Sequence, residues 1–243
     1  MNRRQCLLSL ACLLACGSLA GAADENQSGQ TARVFEKEIL VRFDYLLYLP
    51  DEYNKDSTRS WPLILFLHGA GERGSDINKV KVHGPPKIVA GGKSLPFIIV
   101  SPQCPQDGWW DSRSLIALLD EIQSKYRVDP SRIYLTGLSM GGFGTWDLAM
   151  RFPQRFAAIA PICGGGIPAL ARRLKDIPAW VFHGDADPTV PVARSDEMVE
   201  ALKKAGADVK YTRYPGVGHD SWTKTYENPE LYEWFLSHSK PPR

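Results

Sequence analysis

The chain has 243 residues, 44% hydrophobic and 23% charged, the balance of a folded globular protein and not of a disordered or collagen-like one. Lysine and arginine number 29 against 27 aspartate and glutamate, and two of the basic residues, Arg3 and Arg4, fall in a segment expected to be removed, which leaves the remainder neutral. A neutral chain without a Lys/Arg run excludes the electrostatic footprint of a nucleic-acid binder and the polybasic patch of a membrane-surface binder.

Residues 1–22 run from Arg3-Arg4 through an apolar stretch, Cys6 to Cys16, to small residues ending in Ala20-Gly21-Ala22. That order is a secretory signal, and the apolar stretch is too short to span a bilayer. Export to the periplasm or the medium is expected, with cleavage before Ala23. Two imperfect alternatives are present, a lipoprotein box ending at Cys16 and a twin-arginine signal at Arg3-Arg4. Residues 23–31 read as a polar linker and 32–243 as a single catalytic domain.

Val34 to Leu40 and Arg42 to Leu49 read as two strands, closed by Pro50-Asp51. Pro62 to Leu67, Pro96 to Ser101, Arg132 to Thr136, Phe156 to Pro161 and Ala179 to Phe182 are short, nearly unbroken apolar runs. Such runs are strands buried on both faces of a mostly parallel sheet. Ser114 to Tyr126, Ser139 to Arg151 and Arg194 to Ala205 carry apolar residues at helical spacing. Val209 to Tyr214 supplies a last strand and Pro229 to Ser237 a last helix. Strands alternating with helices give an α/β fold with right-handed crossovers.

Gly137-Leu138-Ser139-Met140-Gly141 joins a predicted strand to a predicted helix, the context of a nucleophile elbow. The serine is held in a strained turn at the strand's carboxyl end, and the residues two before and two after must be small so that strand and helix can approach. A serine hydroxyl is a weak nucleophile at neutral pH, so a base must take its proton and an acid must orient that base. Downstream, a strand runs into His183-Gly184-Asp185-Ala186-Asp187, and the last strand is followed by Gly218-His219-Asp220. Ser139, then an aspartate, then His219 is the chain order this architecture demands. Asp220, adjacent to His219, would point away from the ring it has to reach. Asp185 and Asp187 both remain candidates on spacing alone.

These segments, with Leu67-His68-Gly69-Ala70-Gly71-Glu72-Arg73-Gly74, Ser101 to Pro105, Val190-Pro191 and Ser221-Trp222, resemble the α/β-hydrolase superfamily over essentially the whole chain after the signal. More narrowly the sequence resembles lid-less bacterial phospholipase/carboxylesterase-like and polyhydroxybutyrate-depolymerase-like esterases, which border on prolyl-oligopeptidase catalytic domains. The resemblance implies a mostly parallel sheet flanked by helices and a serine esterase acting through an acyl-enzyme. It selects Asp187, three residues after Gly184, as the acid. It implies oxyanion donors from the Met140 N–H and from Ala70 or Gly71, backbone N–H groups being needed where negative charge develops.

His68 and His183 begin His-Gly turns at strand ends and read as loop-orienting, while His83 and His238 carry no motif. No His, Glu and Cys spacing suggests a metal, and the chemistry needs no cofactor. Pro161 to Ala179 leaves no room for an independent lid. Trp109, Trp110, Phe143 and Trp222 fall beside the predicted active-site loops and are candidates for a substrate wall. Cys104 and Cys163 follow strands separated by two others, roughly 14 Å at nearly 5 Å per strand, which is too far for a disulfide. A small or polymer-linked ester is the expected partner. The competing functions are a prolyl-oligopeptidase-like peptidase and a binding protein on a retired hydrolase fold.

Overall fold

The computed structural model describes residues 30, 32–38 and 40–241. The predicted signal, Cys16 and all of the linker except residue 30 lie outside them. The chain divides into two units, Met1–Ile39 and Leu40–Arg243. In the first, the described residues carry no helix or strand, so the strand expected from Val34 is not formed there. An alternating pattern makes a strand only where a neighbour takes up its backbone hydrogen bonds.

The second unit holds a seven-stranded sheet in the order β1-β3-β2-β4-β5-β6-β7. Its strands are β1 Tyr45–Tyr48, β2 Trp61–Leu67, β3 Ile98–Pro102, β4 Val128–Leu138, β5 Ala158–Ile162, β6 Ala179–Gly184 and β7 Val209–Tyr214. Strand β1 pairs antiparallel with β3, Tyr45 opposite Pro102 and Tyr48 opposite Ile99, and is shorter than the run Arg42 to Leu49 expected from sequence. The other pairings are parallel.

The helices are α1 Gly84–Ala90, α2 Ser112–Lys125, α3 Met140–Arg151, α4 Ala193–Lys204, α5 Trp222–Glu227 and α6 Pro229–Leu236. Helices α1 and α5 were not evident from sequence, being too short to show a helical period. Because side chains alternate along a strand, β2 divides its residues between two cores. Leu63, Leu65 and Leu67 pack with Leu115, Leu119, Trp146, Met198 and Leu202 from α2, α3 and α4. Ile64 and Phe66 pack with Tyr226, Leu231 and Phe235 from α5 and α6. Helices therefore cover both faces, which is why the central strands read as unbroken apolar runs. Among the described residues no helix is long and apolar enough to cross a membrane.

Cys104 and Cys163 are buried free thiols. Strands β2 and β4 lie between β3 and β5, the separation that the spacing argument required.

Candidate active site

The site is assembled at the carboxyl ends of β2, β4, β6 and β7. Ser139 follows β4 with φ 52° and ψ −116°, a positive-φ conformation strained for a residue with a Cβ, and its carbonyl accepts the Phe143 N–H at 3.0 Å to start α3. The turn closes because the residues two before and two after Ser139 lack side chains. A Cβ on Gly141 would lie 1.9 Å from the Leu67 carbonyl oxygen, and one on Gly137 would lie 2.4 Å from that of Gly141.

His219, in the loop between β7 and α5, has its Nε2 2.9 Å from Ser139 Oγ and its Nδ1 2.7 Å from Asp187 Oδ2. Asp187, in the loop after β6, is buried. Its Oδ1 accepts the Thr189 and Val190 N–H groups at 2.8 and 2.9 Å. Burial opposes ionisation of this carboxyl, but the His219 ring and the two backbone donors outweigh it and hold its pKa below the ordinary range. An acceptor-only carboxylate fixes the His219 proton on Nδ1, leaving Nε2 free to accept from the Ser139 hydroxyl.

Asp185 instead accepts the Gly216 N–H at 2.7 Å and ties two loops together. Asp220 accepts the Thr223 N–H and hydroxyl, each at 3.0 Å, in the first turn of α5. Of the three aspartates near His183 and His219, only Asp187 reaches the His219 ring.

His183 supports Asp187 from below. Its Nε2 is 2.9 Å from the Val190 carbonyl, which can only accept, so the proton sits there, 3.2 Å from Asp187 Oδ2. Nδ1 then accepts from the Ser195 hydroxyl at 2.7 Å. Ser195 was invisible to sequence reasoning because it arrives from α4.

Met140 is the first residue of α3, so its N–H has no acceptor within the helix. Ala70 and Gly71 lie in a 3-10 turn, Ala70–Glu72, directly after β2. Gly69 brings that turn against the residue before Ser139, since a Cβ there would be 2.8 Å from Leu138 Cδ1. His68 packs beneath it. The Gly69 carbonyl, 2.6 Å from Nδ1, can only accept, and Nε2 receives the Cys104 N–H at 3.0 Å. Burial lowers the His68 pKa to about 4, which keeps the ring neutral in this tautomer.

The four candidate aromatics separate. Trp109, Trp110 and Phe143 line a cleft of about 600 Å³ together with Gly165, Gly166 and Ile167. Trp109 is 60% exposed and its ring centroid is 6.4 Å from that of Phe143, whereas Trp110 is buried and donates its indole N–H to the His68 carbonyl at 3.2 Å. Trp222 lines a second cleft, of about 420 Å³, with His83, Lys87 and Tyr226. Its ring stands perpendicular to that of His219 with centroids 5.2 Å apart, and its N–H donates to His83 Nδ1 at 3.3 Å.

One group of potential metal ligands occurs among the described residues, Cys163, Asp187 and His219, whose ligand atoms lie within 4.8 Å of one another. It does not fit a metal: both ring nitrogens of His219 are engaged by Asp187 and Ser139, and burial pushes the Cys163 thiol up to about 12, so it keeps its proton.

A mostly parallel sheet of this order flanked by helices, with a serine on a strained strand-to-helix turn, is the α/β-hydrolase fold. The dienelactone hydrolase family matches residues 111–231. A crystal structure of a thermostable esterase is 40% identical and superposes with a TM-score of 0.70 over 81% of this chain and 59% of that one. A putative esterase, NocK, of Nocardia uniformis subsp. tsuyamanensis is 31% identical over 72% of this chain and 50% of its own. The bifunctional acetylxylan esterase/xylanase XynS20E of Neocallimastix patriciarum is 24% identical over 84% of this chain and 30% of its own. The chain thus spans less than two thirds of the length of each of these three.

Proposed function

We propose that this protein is a serine-dependent carboxylic ester hydrolase. The observation that carries the reading is the unbroken chain from Ser139 Oγ to His219 Nε2 at 2.9 Å and from His219 Nδ1 to Asp187 Oδ2 at 2.7 Å, ending on a hydroxyl presented by a positive-φ turn. Its similarity to esterases agrees in class.

In this reading His219 Nε2 takes the Ser139 proton as Oγ bonds to the ester carbonyl carbon. The oxyanion that forms is received by the Met140 N–H and by those of Ala70 or Gly71. The carbonyl–alkoxy bond then breaks, and His219 passes its proton to the departing alcohol. Water attacks the acyl-enzyme, giving a proton to His219, and collapse returns that proton to Ser139 as the acid leaves. Asp187 stays ionised throughout and stabilises the imidazolium. The substrate is a short acyl or aryl ester, free or attached to a polymer, with Trp109 and Phe143 as an open wall. Export follows from the signal-like residues 1–22.

The experiment compares p-nitrophenyl acetate with a p-nitroanilide peptide, using wild type, Ser139→Ala, Asp187→Asn and Asp185→Asn. Ester turnover is expected to exceed amide turnover. Ser139→Ala should lose on the order of 10⁴ to 10⁶ in kcat and Asp187→Asn on the order of 10⁴, while Asp185→Asn loses little. Turnover by Ser139→Ala within tenfold of wild type overturns the reading. Faster amide cleavage makes the protein a peptidase, and no turnover of either substrate by wild type makes it a binder.

A further inference from the structure

The turn that would receive the oxyanion is gripped from behind by side chains that take no part in proton transfer. The Glu72 carboxylate accepts the Gly69 N–H through Oε2 at 2.9 Å, and its side chain is only 12% exposed. Its own carbonyl is held by Gln103 Nε2 at 2.8 Å. Arg73 donates from Nε to the Ala70 carbonyl at 3.0 Å and from a terminal nitrogen to the Gly108 carbonyl at 3.3 Å. A trans peptide is planar, with its N–H opposed to its C=O. Fixing the Ala70 carbonyl therefore fixes the direction of the Gly71 N–H, just as His68 on the Gly69 carbonyl fixes that of Ala70.

Ala70 and Gly71 are exposed, and a Cβ on Gly71 would meet nothing within 4 Å. An exposed three-residue 3-10 turn has little stability of its own, its hydrogen-bond geometry being poor.

We propose that Glu72 and Arg73 are positioning residues for the oxyanion turn, Glu72 anchoring its start through the Gly69 N–H and Arg73 aiming the Gly71 N–H through the Ala70 carbonyl. The proposal rests on the ester-hydrolase reading, in which the turn supplies oxyanion donors. Both act on the transition state more than on substrate binding, so the loss belongs in kcat.

The test measures kcat and KM for p-nitrophenyl acetate in Arg73→Ala, Glu72→Asp and Glu72→Gln, each checked for folding by circular dichroism and Tm. Arg73→Ala and Glu72→Asp should lower kcat about 10- to 100-fold, less than the ~10² to 10³ of a donor removed outright, with KM changing less than threefold. The glutamine amide oxygen keeps both reach and acceptor, so Glu72→Gln should turn over at least ten times faster than Glu72→Asp. If kcat stays within threefold of wild type in folded Arg73→Ala and Glu72→Asp, the proposal falls. It also falls if Gln loses as much as Asp, or if the loss lies in KM. Should Glu72→Asp not fold, the kcat and KM of Arg73→Ala decide the matter alone. Ester turnover by Ser139→Ala would instead bring down the reading beneath the proposal, which separates the two failures.

Discussion

His68 and His183 are chemically the same residue at the same kind of strand end, and neighbours alone give them different work. His68 is wedged between an obligate acceptor, the Gly69 carbonyl, and an obligate donor, the Cys104 N–H. His183 presents its N–H towards the Val190 carbonyl and Asp187. His68 cannot take up a second proton without losing its acceptor role towards the Cys104 N–H. For His68 the consequence is measurable, because its pKa is lowered by burial from 6.5 to about 4. A depressed folded pKa means that stability is fully present above the unfolded value and is lost as pH falls towards the folded one. Urea unfolding between pH 7 and pH 4 should therefore show a loss of about 3 kcal/mol from this residue, at most about 1.4 kcal/mol per pH unit. In His68→Gln that part of the slope disappears, whatever the variant costs at pH 7.

At the scale of elements, the junction of β2, β4 and α3 is the tightest in the site, and backbone, not side chains, makes it so. The Gly141 position faces the Leu67 and His68 carbonyl oxygens at 1.9 and 2.7 Å from where a Cβ would sit. A backbone oxygen in a buried central strand cannot step aside without breaking the β2 to β4 ladder, in which Leu67 pairs with Gly137. Gly141→Ala is expected to destabilise by about 3 kcal/mol or more, the range for overpacking at a site that cannot relax. Gly71→Ala, with nothing within 4 Å, should change stability by less than about 1 kcal/mol. Chemical denaturation of the two variants side by side checks the contrast. Equal losses would mean that β2 yields more readily than its hydrogen bonds suggest.

At the scale of the molecule, the strand order gathers the loops after β2, β4, β6 and β7 at one end of the sheet, where α/β proteins place their ligands. Between β5 and β6 the chain makes only the 3-10 helix Pro168–Leu174, so nothing of lid size covers that end from this connection. The cleft lined by Trp109, Phe143 and Ile167, one turn of α3 beyond Ser139, is open, with Trp109 60% and Ile167 53% exposed. Each methylene that is buried contributes about 0.8 kcal/mol, and one that passes beyond this wall into water contributes nothing. Across p-nitrophenyl esters, kcat/KM should peak at acetyl to butyryl chains and show no jump at the micelle threshold. A maximum at about ten carbons or more would reveal an acyl groove that these two clefts do not account for.

How much could be read beforehand follows from the range of the forces involved. The apolar runs of β2 to β6 and the periods of α2, α3 and α4 are local consequences of burial on one or two faces, and they were legible to within a few residues. The glycines flanking Ser139 were legible for the same reason, since the steric demand of the turn is written into five adjacent residues. Where the described residues of the run from Val34 form no strand, the pattern was local but the hydrogen-bonding partner was not. The aromatics show the same limit: sequence put Trp109, Trp110, Phe143 and Trp222 beside the predicted loops, but only the packing sent the Trp110 indole to the His68 carbonyl and the Trp222 ring against His219. Glu72 stands three residues after Gly69 at capping-box spacing, a signal present in the sequence and passed over there. His83 and Ser195 carried no such mark, because their partners reach them across the fold from residues 139 and 12 positions away. Sequence alone determined the layers, the glycine-flanked turn at Ser139 and the chain order of a serine, an aspartate and His219, with Asp185 and Asp187 both open. Tertiary structure alone decided which polar atom meets which, because a hydrogen bond forms or fails within a few tenths of an ångström and no local pattern carries that precision.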